Sequence, residues 1–340
     1  MDTTYNIIKN MKARPHLFIL GAGATKATIP NGDKNGRKSP VMNNFLQEIG
    51  QEDLLKKVSL KTHSNNIESI YSELVENPEY SETMSKIETA IISHYQQMEI
   101  PIEPTLYDYL ILSLRKKDCI ATFNWDPLLI QAYNRVNKIT SNLPELLFLH
   151  GCVAVGLCES CKCFGPLVNK FCPKCGQEYI MPKLLFPVKN KNYNQNLFIQ
   201  EQWQVFDYYL ENAGIVTIWG YSAPNSDIEA KERMLKVFSN SFRKLDQIEI
   251  IDIEEHELLT NKWKSFAKQT NFHLQIFSSL LDTLIAEFPR RSIDGYTKRF
   301  IEGWWGKSTL TLKECKTFEE LKVLFLPLLI KERDNNFDII

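Results

Sequence analysis

The stretch from Asp118 to Gly151, DCIATFNWDPLLIQAYNRVNKITSNLPELLFLHG, narrows the possible folds more than any other part of the chain. Cys119 to Phe123 is a short apolar run that ends in Asn124-Trp125-Asp126-Pro127. The proline opens an amphipathic run with Leu128, Leu129, Ala132 and Val136 at helical spacing. A second apolar run, Leu146 to Leu149, ends in His150-Gly151. Two predicted strands joined by one crossover helix make a βαβ unit, and each strand delivers polar side chains at its carboxyl end. In open parallel sheets, ligands sit outside those ends.

The rest of the chain extends the same alternation. His16 to Leu20 predicts a buried strand, followed by the tight turn Gly21-Ala22-Gly23. Glycines there let the backbone approach a pyrophosphate closely. The full dinucleotide fingerprint is incomplete, because Lys26 stands where a third small residue belongs. Residues 31–40 are polar and glycine-containing, which predicts a mobile loop over the pocket. Helices are predicted over about 4–12, 41–58, 64–76, 80–98 and 104–117 from apolar spacing. His63 and His94 fall among them and are assigned no role. Further on come a helix at 197–212, a strand at 215–219 ending in Gly220-Tyr221-Ser222, and a helix at 227–237 with Ser226 as its N-cap. A strand at 247–251 ends at Asp252, and a helix near 255–268, a strand at 272–277 and a helix to 287 follow. The pattern predicts an α/β fold: a Rossmann-like, doubly wound parallel sheet with an inserted helical module and cysteine-bearing lobe. The expected division is a main domain over 1–290, with insertions at about 41–117 and 152–180, and a small helical tail over 291–340.

Composition removes several classes of function. A formal net charge of -1 over 340 residues supplies no field for nucleic acid or anionic lipid. The greasy patch at 321–330 is interrupted by lysine and proline and is too short to span a bilayer. Five of the eight cysteines crowd into residues 158–175, which suits metal better than a disulfide framework and predicts a reduced, cytoplasmic protein. Cys158-x-x-Cys161 and Cys172-x-x-Cys175 give two pairs of soft thiolates, the arrangement of a closed tetrahedral Zn2+ site. Cys163 could replace Cys161, but the two-residue spacing favours the latter. A four-thiolate site has no open position, so its expected role is structural.

The order of these features resembles the sirtuin superfamily: Gly-Ala-Gly at 21–23, Thr-x-Asn-x-Asp at 122–126, His-Gly at 150–151, the cysteine quartet, then Gly-x-Ser at 220–222. The resemblance spans about residues 16–252. It implies a Rossmann-like NAD-binding domain with a small zinc ribbon, and cleavage of the nicotinamide–ribose bond of NAD+. On that resemblance Asn124 holds a water or ribose hydroxyl, Asp126 contacts the nicotinamide carboxamide, and His150 is the general base. Gly21, Ala22 and Gly23 meet the phosphates, Gly220 and Ser222 contact phosphate and the adenosine side, and Asp252 meets the adenosine ribose. Histidine also suits the task chemically, since an oxocarbenium-like ribose needs a base that works near neutral pH.

The departures from the family's pattern fall on one side of the pocket. Protein-deacylating sirtuins carry Gly-Ile-Pro-Asp-Phe-Arg after the first turn, where this chain has ATIPNGDKNGR. They carry Val-x-Phe-Gly-Glu after the zinc lobe, where this chain has LLFPVKNKNY, and glutamine where it has Phe123. The losses fall on the acyl-lysine channel and resemble bacterial sirtuin-like proteins that hydrolyse NAD in antiphage defence. The expectation is an NAD+ glycohydrolase. The alternatives are an NAD-dependent protein-lysine deacylase and a non-catalytic NAD or ADP-ribose sensor. Self-association and an activating partner protein are both left open.

Overall fold

The computed structural model describes residues 10–186, 197–224, 227–239, 246–270, 273–306, 308 and 310–334. Most of the helix expected over 4–12, the Ser226 cap and the start of the strand expected at 272 lie outside them. Six strands form one parallel sheet: β1 (His16–Leu20), β2 (Cys119–Thr122), β3 (Glu145–Phe148), β6 (Ile215–Trp219), β7 (Gln247–Ile251) and β8 (Leu274–Phe277). Their order across the sheet is β3-β2-β1-β6-β7-β8. Counted within this sheet alone, the order is 3-2-1-4-5-6, that of a doubly wound dinucleotide-binding fold. Every residue of β1, β2, β6 and β7 is buried. Strands covered on both faces need mainly apolar side chains on both, which β1, β2 and β6 supply; β7 instead carries Gln247 and Glu249 at alternate positions.

Polar residues inside the sheet are matched to one another. Thr217 donates to Glu249 at 2.8 Å, so its hydroxyl accepts from His16 Nε2 at 2.7 Å, and His16 Nδ1 accepts from Ser292 at 2.8 Å. That proton count makes His16 neutral, in keeping with burial, which drives its pKa well below the ordinary value. Burial also pushes the Glu249 carboxyl up to about 7.

The helical module departs from the periodicity reading in two places. The run expected as one helix over 41–58 is a short helix, Phe45–Glu48, followed by a 3-10 turn, Glu52–Lys57. Gly50 lies between them at φ 68°, which ends the first helix. The helix expected over 104–117 covers only Leu106–Leu112. Asp118 captures the amides of Arg115 at 2.8 Å and His16 at 2.9 Å and turns the chain directly into β2. Ile67–Glu76 and Ser81–Gln96 complete the module, the first capped by the Asn66 side chain on Glu68 N–H.

The loop at 31–40 is held in place more firmly than its composition predicts. Asp33 is buried and accepts from the amides of Asn35, Arg37 and Glu99 at 2.8–2.9 Å. These bonds tie the loop to the end of helix Ser81–Gln96. A buried carboxylate with three N–H donors fixes its loop, whatever the polarity of the neighbours.

The boundary expected at 290 falls inside a hydrogen-bonded core. Arg290 is 1% exposed, and its guanidinium donates to the carbonyls of Leu112, Leu114 and Asn142 and to the Glu332 carboxylate. Glu332 belongs to the last helix, Phe318–Arg333, which buries Leu321 and Phe325. Among the described residues no helix is long and apolar enough to cross a membrane. A two-stranded antiparallel sheet, β4 (Val155–Cys158) and β5 (Cys163–Pro166), carries the cysteine lobe after β3.

Candidate active site

A cavity of about 360 Å³ opens at the carboxyl ends of β1, β2, β3 and β6. It lies where the strand order reverses, between β1 and β6, the place where open α/β sheets hold their ligands. Gly21, Ala22, Gly23, Asn124, Asp126, His150, Gly220 and Ser222 all line it. Eight of the nine residues expected from the motifs to act on NAD therefore line one cavity. Asp252 does not line the cavity. It follows β7, and its carboxylate accepts the Glu254 amide at 3.1 Å. Ser39, Pro40, Val41, Met42, Asn43, Phe45, Asn66 and Glu68 line the cavity as well.

The two glycine turns interlock. Gly23 N–H donates to Gly220 O at 3.0 Å and Gly21 N–H to Trp219 O at 3.0 Å. A Cβ on Gly220 would lie 2.3 Å from Ala24 N and 2.5 Å from Gly23 C, and the residue holds φ 60°. Glycine is required here on both counts. The amides of Gly21, Gly23 and Ala24 all have protein acceptors. The turn therefore offers a ligand close backbone approach more than a row of free donors.

Asn124 and Asp126 are set by Thr25, a residue the sequence reading passed over. Thr25 donates its one proton to Asp126 at 2.8 Å, so it accepts from Tyr107 at 2.7 Å and from Asn124 Nδ2 at 2.9 Å. Asn124 Nδ2 also donates to Gly21 O at 2.9 Å. Both amide hydrogens of Asn124 are thus engaged with the protein, and its Oδ1 is the group kept for a ligand: an acceptor. Asp126 Oδ1 accepts the Leu128 amide at 3.0 Å, at the start of the helix Leu128–Val136. Burial raises the pKa of Asp126, and the Thr25 and Leu128 donors work against that shift.

His150 stands just beyond β3, 4% exposed, its carbonyl accepting from Leu185 N–H at 3.0 Å. Its Nε2 lies 3.6 Å from Asp227 Oδ1. Tyr221 donates to Asp227 Oδ2 at 3.1 Å. Phe123 meets the imidazole edge-on at 4.8 Å and stacks on Tyr221 at 4.2 Å, with 7° between the rings. Asp227 and Tyr221 also line the cavity and were not singled out from sequence. Trp125 packs on Phe186 and Tyr95.

The cysteine lobe gathers more thiols than one tetrahedral ion needs. Cys158, Cys161, Cys163 and Cys172 place their sulfurs within 4.8 Å of one another. Cys175 lies 3.4 Å from Cys158, sulfur to sulfur, and Cys163 lies 3.6 Å from Cys172. A Zn–S length of about 2.3 Å in a tetrahedron spaces sulfurs about 3.8 Å apart, so the donors fit zinc. The sequence reading named Cys158, Cys161, Cys172 and Cys175; the structure adds Cys163, because pairing β4 with β5 sets Cys158 opposite Cys163. Burial opposes ionisation of Cys172, but the amides of Lys174 and Cys175 outweigh it and bring the thiol down to about 6.

Cys172→Ser is expected to reduce bound zinc from about one per chain to near zero and to lower the unfolding temperature, because structural zinc contributes folding free energy directly. Metal analysis of this variant beside Cys163→Ser and Cys175→Ser checks it. Of the latter two, the spare thiol is the one whose loss leaves zinc bound. Full zinc retention and unchanged stability in Cys172→Ser would refute the site.

No family model matches the chain, and no curated protein does. Among solved structures the chain is similar to one titled "Structural Basis for the Mechanism and Regulation of Sir2 Enzymes", at 14% identity and a TM-score of 0.41, covering 88% of this chain and 99% of that one. It is similar to a Sir2 homologue in complex with NAD at 15% identity and a TM-score of 0.39, over 87% of this chain and 94% of that one. A third similar structure is Sir2 bound to acetylated peptide, at 14% identity and a TM-score of 0.39, over 89% and 99% of the two chains.

Proposed function

We propose that this chain is a sirtuin-like, NAD-consuming enzyme that hydrolyses the nicotinamide–ribose bond, an NAD+ glycohydrolase of the kind used in bacterial antiphage defence. The observation that carries the reading is the meeting of Asn124, Asp126 and His150 with the two glycine turns around one cavity at the switch point of the sheet. Those turns suit a pyrophosphate, and the polar trio lies on the side where the scissile ribose would sit. Asp126 is the group for the nicotinamide carboxamide. Ser222 and, further along the sheet edge, Asp252 are assigned to the adenosine side. Zn2+ on the cysteine lobe would hold that lobe folded and take no part in bond cleavage.

In this reading a water oxygen bonds to the anomeric carbon as the bond to nicotinamide breaks. The bonding pair goes to the ring nitrogen, which loses its positive charge. One water proton passes to His150, and ADP-ribose is left. Asn124 Oδ1 accepts a hydrogen from the water or from a ribose hydroxyl and so fixes the approach.

Hydrolysis is favoured over deacylation by the aromatic wall. Phe123 stands where deacylases keep glutamine and packs between His150 and Tyr221. Leu184 and Phe186, in the segment that pairs with peptide in deacylases, are both buried, and Phe186 stacks on Tyr71 at 5.4 Å. The test is to incubate the purified protein with NAD and follow nicotinamide, with and without an acylated peptide.

A further inference from the structure

The cavity holds a carboxylate that none of the recognised motifs contains. Asp227 precedes helix Ile228–Ser239, and its amide bonds back to Pro224 O at 2.9 Å. It is 4% exposed and faces His150 at 3.6 Å, with the Tyr221 hydroxyl on its other oxygen. Two oxygens of one buried carboxylate thus address two ring-bearing side chains of the same wall. Its distance from His150 along the chain, and its place before a helix, hide it from any local pattern.

We propose that Asp227 is the positioning residue for His150: it orients the imidazole and fixes its tautomer, and Tyr221 in turn holds Asp227. The inference rests on the reading of His150 as general base. A carboxylate beside Nε2 favours the proton on that nitrogen and leaves the lone pair on Nδ1, as base–orienter pairs do in other hydrolytic sites. Phe123, edge-on to the ring, limits its rotation from another side. The other titratable groups lining the cavity are Glu68, Tyr95 and Asp126. Asp126 is already bonded to Thr25 and Leu128 N–H, Tyr95 sits beside Trp125, and Asp227 lies 3.6 Å from the imidazole.

The carboxylate also sets a pH dependence with a definite sign. A neighbouring negative charge favours the imidazolium, so removing it lowers the pKa of His150. General-base turnover requires the neutral ring, so the rising limb of the rate–pH profile moves to lower pH in Asp227→Asn. The plateau rate falls as well, by about ten- to a hundredfold, because the base is weaker and its orientation is no longer set. KM for NAD should stay within about threefold, since Asp227 is assigned no contact with the dinucleotide. Asp227→Glu, which keeps the charge, should restore the position of the limb.

The decisive experiment reads His150 directly. Ring 15N shifts of labelled protein, with the His150 signal identified by its loss in His150→Gln, give tautomer and pKa without any need for turnover. The expected result is a neutral ring protonated on Nε2 in the wild type, and a titration moved to lower pH in Asp227→Asn. A wild-type ring protonated on Nδ1, or a titration unmoved in the variant, overturns the proposal even if the wild type hydrolyses NAD. Conversely, a shifted titration in a protein that releases no nicotinamide sustains the pairing and refutes the glycohydrolase reading. The tautomer measurement needs only the wild-type fold, so a poorly folding Asp227→Asn does not remove the test.

Discussion

Alanine at His150 is expected to slow nicotinamide release from NAD by about a hundred- to ten-thousand-fold, the usual range for loss of a general base. Dinucleotide affinity should change by less than about threefold, because the glycine turns and the Asn124–Thr25–Asp126 cluster are untouched. Removing an imidazole packed between Phe123 and Asp227 leaves a small void, so calorimetry should accompany the kinetics. A variant that stays folded, binds NAD and fails to turn it over identifies His150 as catalytic. Wild-type turnover in the same variant would make the histidine a packing residue and remove the mechanism proposed for this cavity.

The second large effect is expected at Gly220. Alanine there must adopt a left-handed conformation, at about 1–2 kcal/mol. Its Cβ would also collide with the backbone of Gly23 and Ala24, atoms that cannot swing aside as a side chain can. Overlap of this kind adds about 1–3 kcal/mol. Gly220→Ala should therefore cost about 2–5 kcal/mol of stability in denaturant unfolding and lose most NAD affinity, since relief requires the two turns to part. Gly50→Ala is the control: it has a similar φ of 68° but nothing within 4 Å of the added carbon, so only the conformational cost of about 1–2 kcal/mol applies. Equal losses in the two variants would show that the interlock contributes nothing.

What the sequence made legible follows from how local each signal is. β1, β2, β6 and β7 were readable because strands buried on both faces are mainly apolar, and the glycine turns because φ and closeness restrict the residue type. Asn124, Asp126 and His150 were placed by strand ends alone, and parallel pairing of β1, β2 and β3 brings them to one edge. Long-range features left no such trace. The helix expected over 41–58 kept its apolar spacing through Gly50, so periodicity could not show the break. Asp33 reads as one more polar loop residue until the three amides that bury it are seen. Cys163 was set aside on spacing, which carries no information about a sulfur brought in by strand pairing. Asp227 and Thr25 act on partners supplied by other strands, and no motif contains either pair.

The central claim is that this cavity hydrolyses NAD with water as the acceptor. It is tested most directly by incubating the purified wild-type protein, with no peptide present, with NAD and quantifying the products. The account predicts that nicotinamide and ADP-ribose appear in equal amounts, that added acylated peptide does not raise the rate, and that His150→Ala releases neither. Nicotinamide formed only in the presence of an acylated peptide, with the acyl group recovered on ADP-ribose, would contradict it.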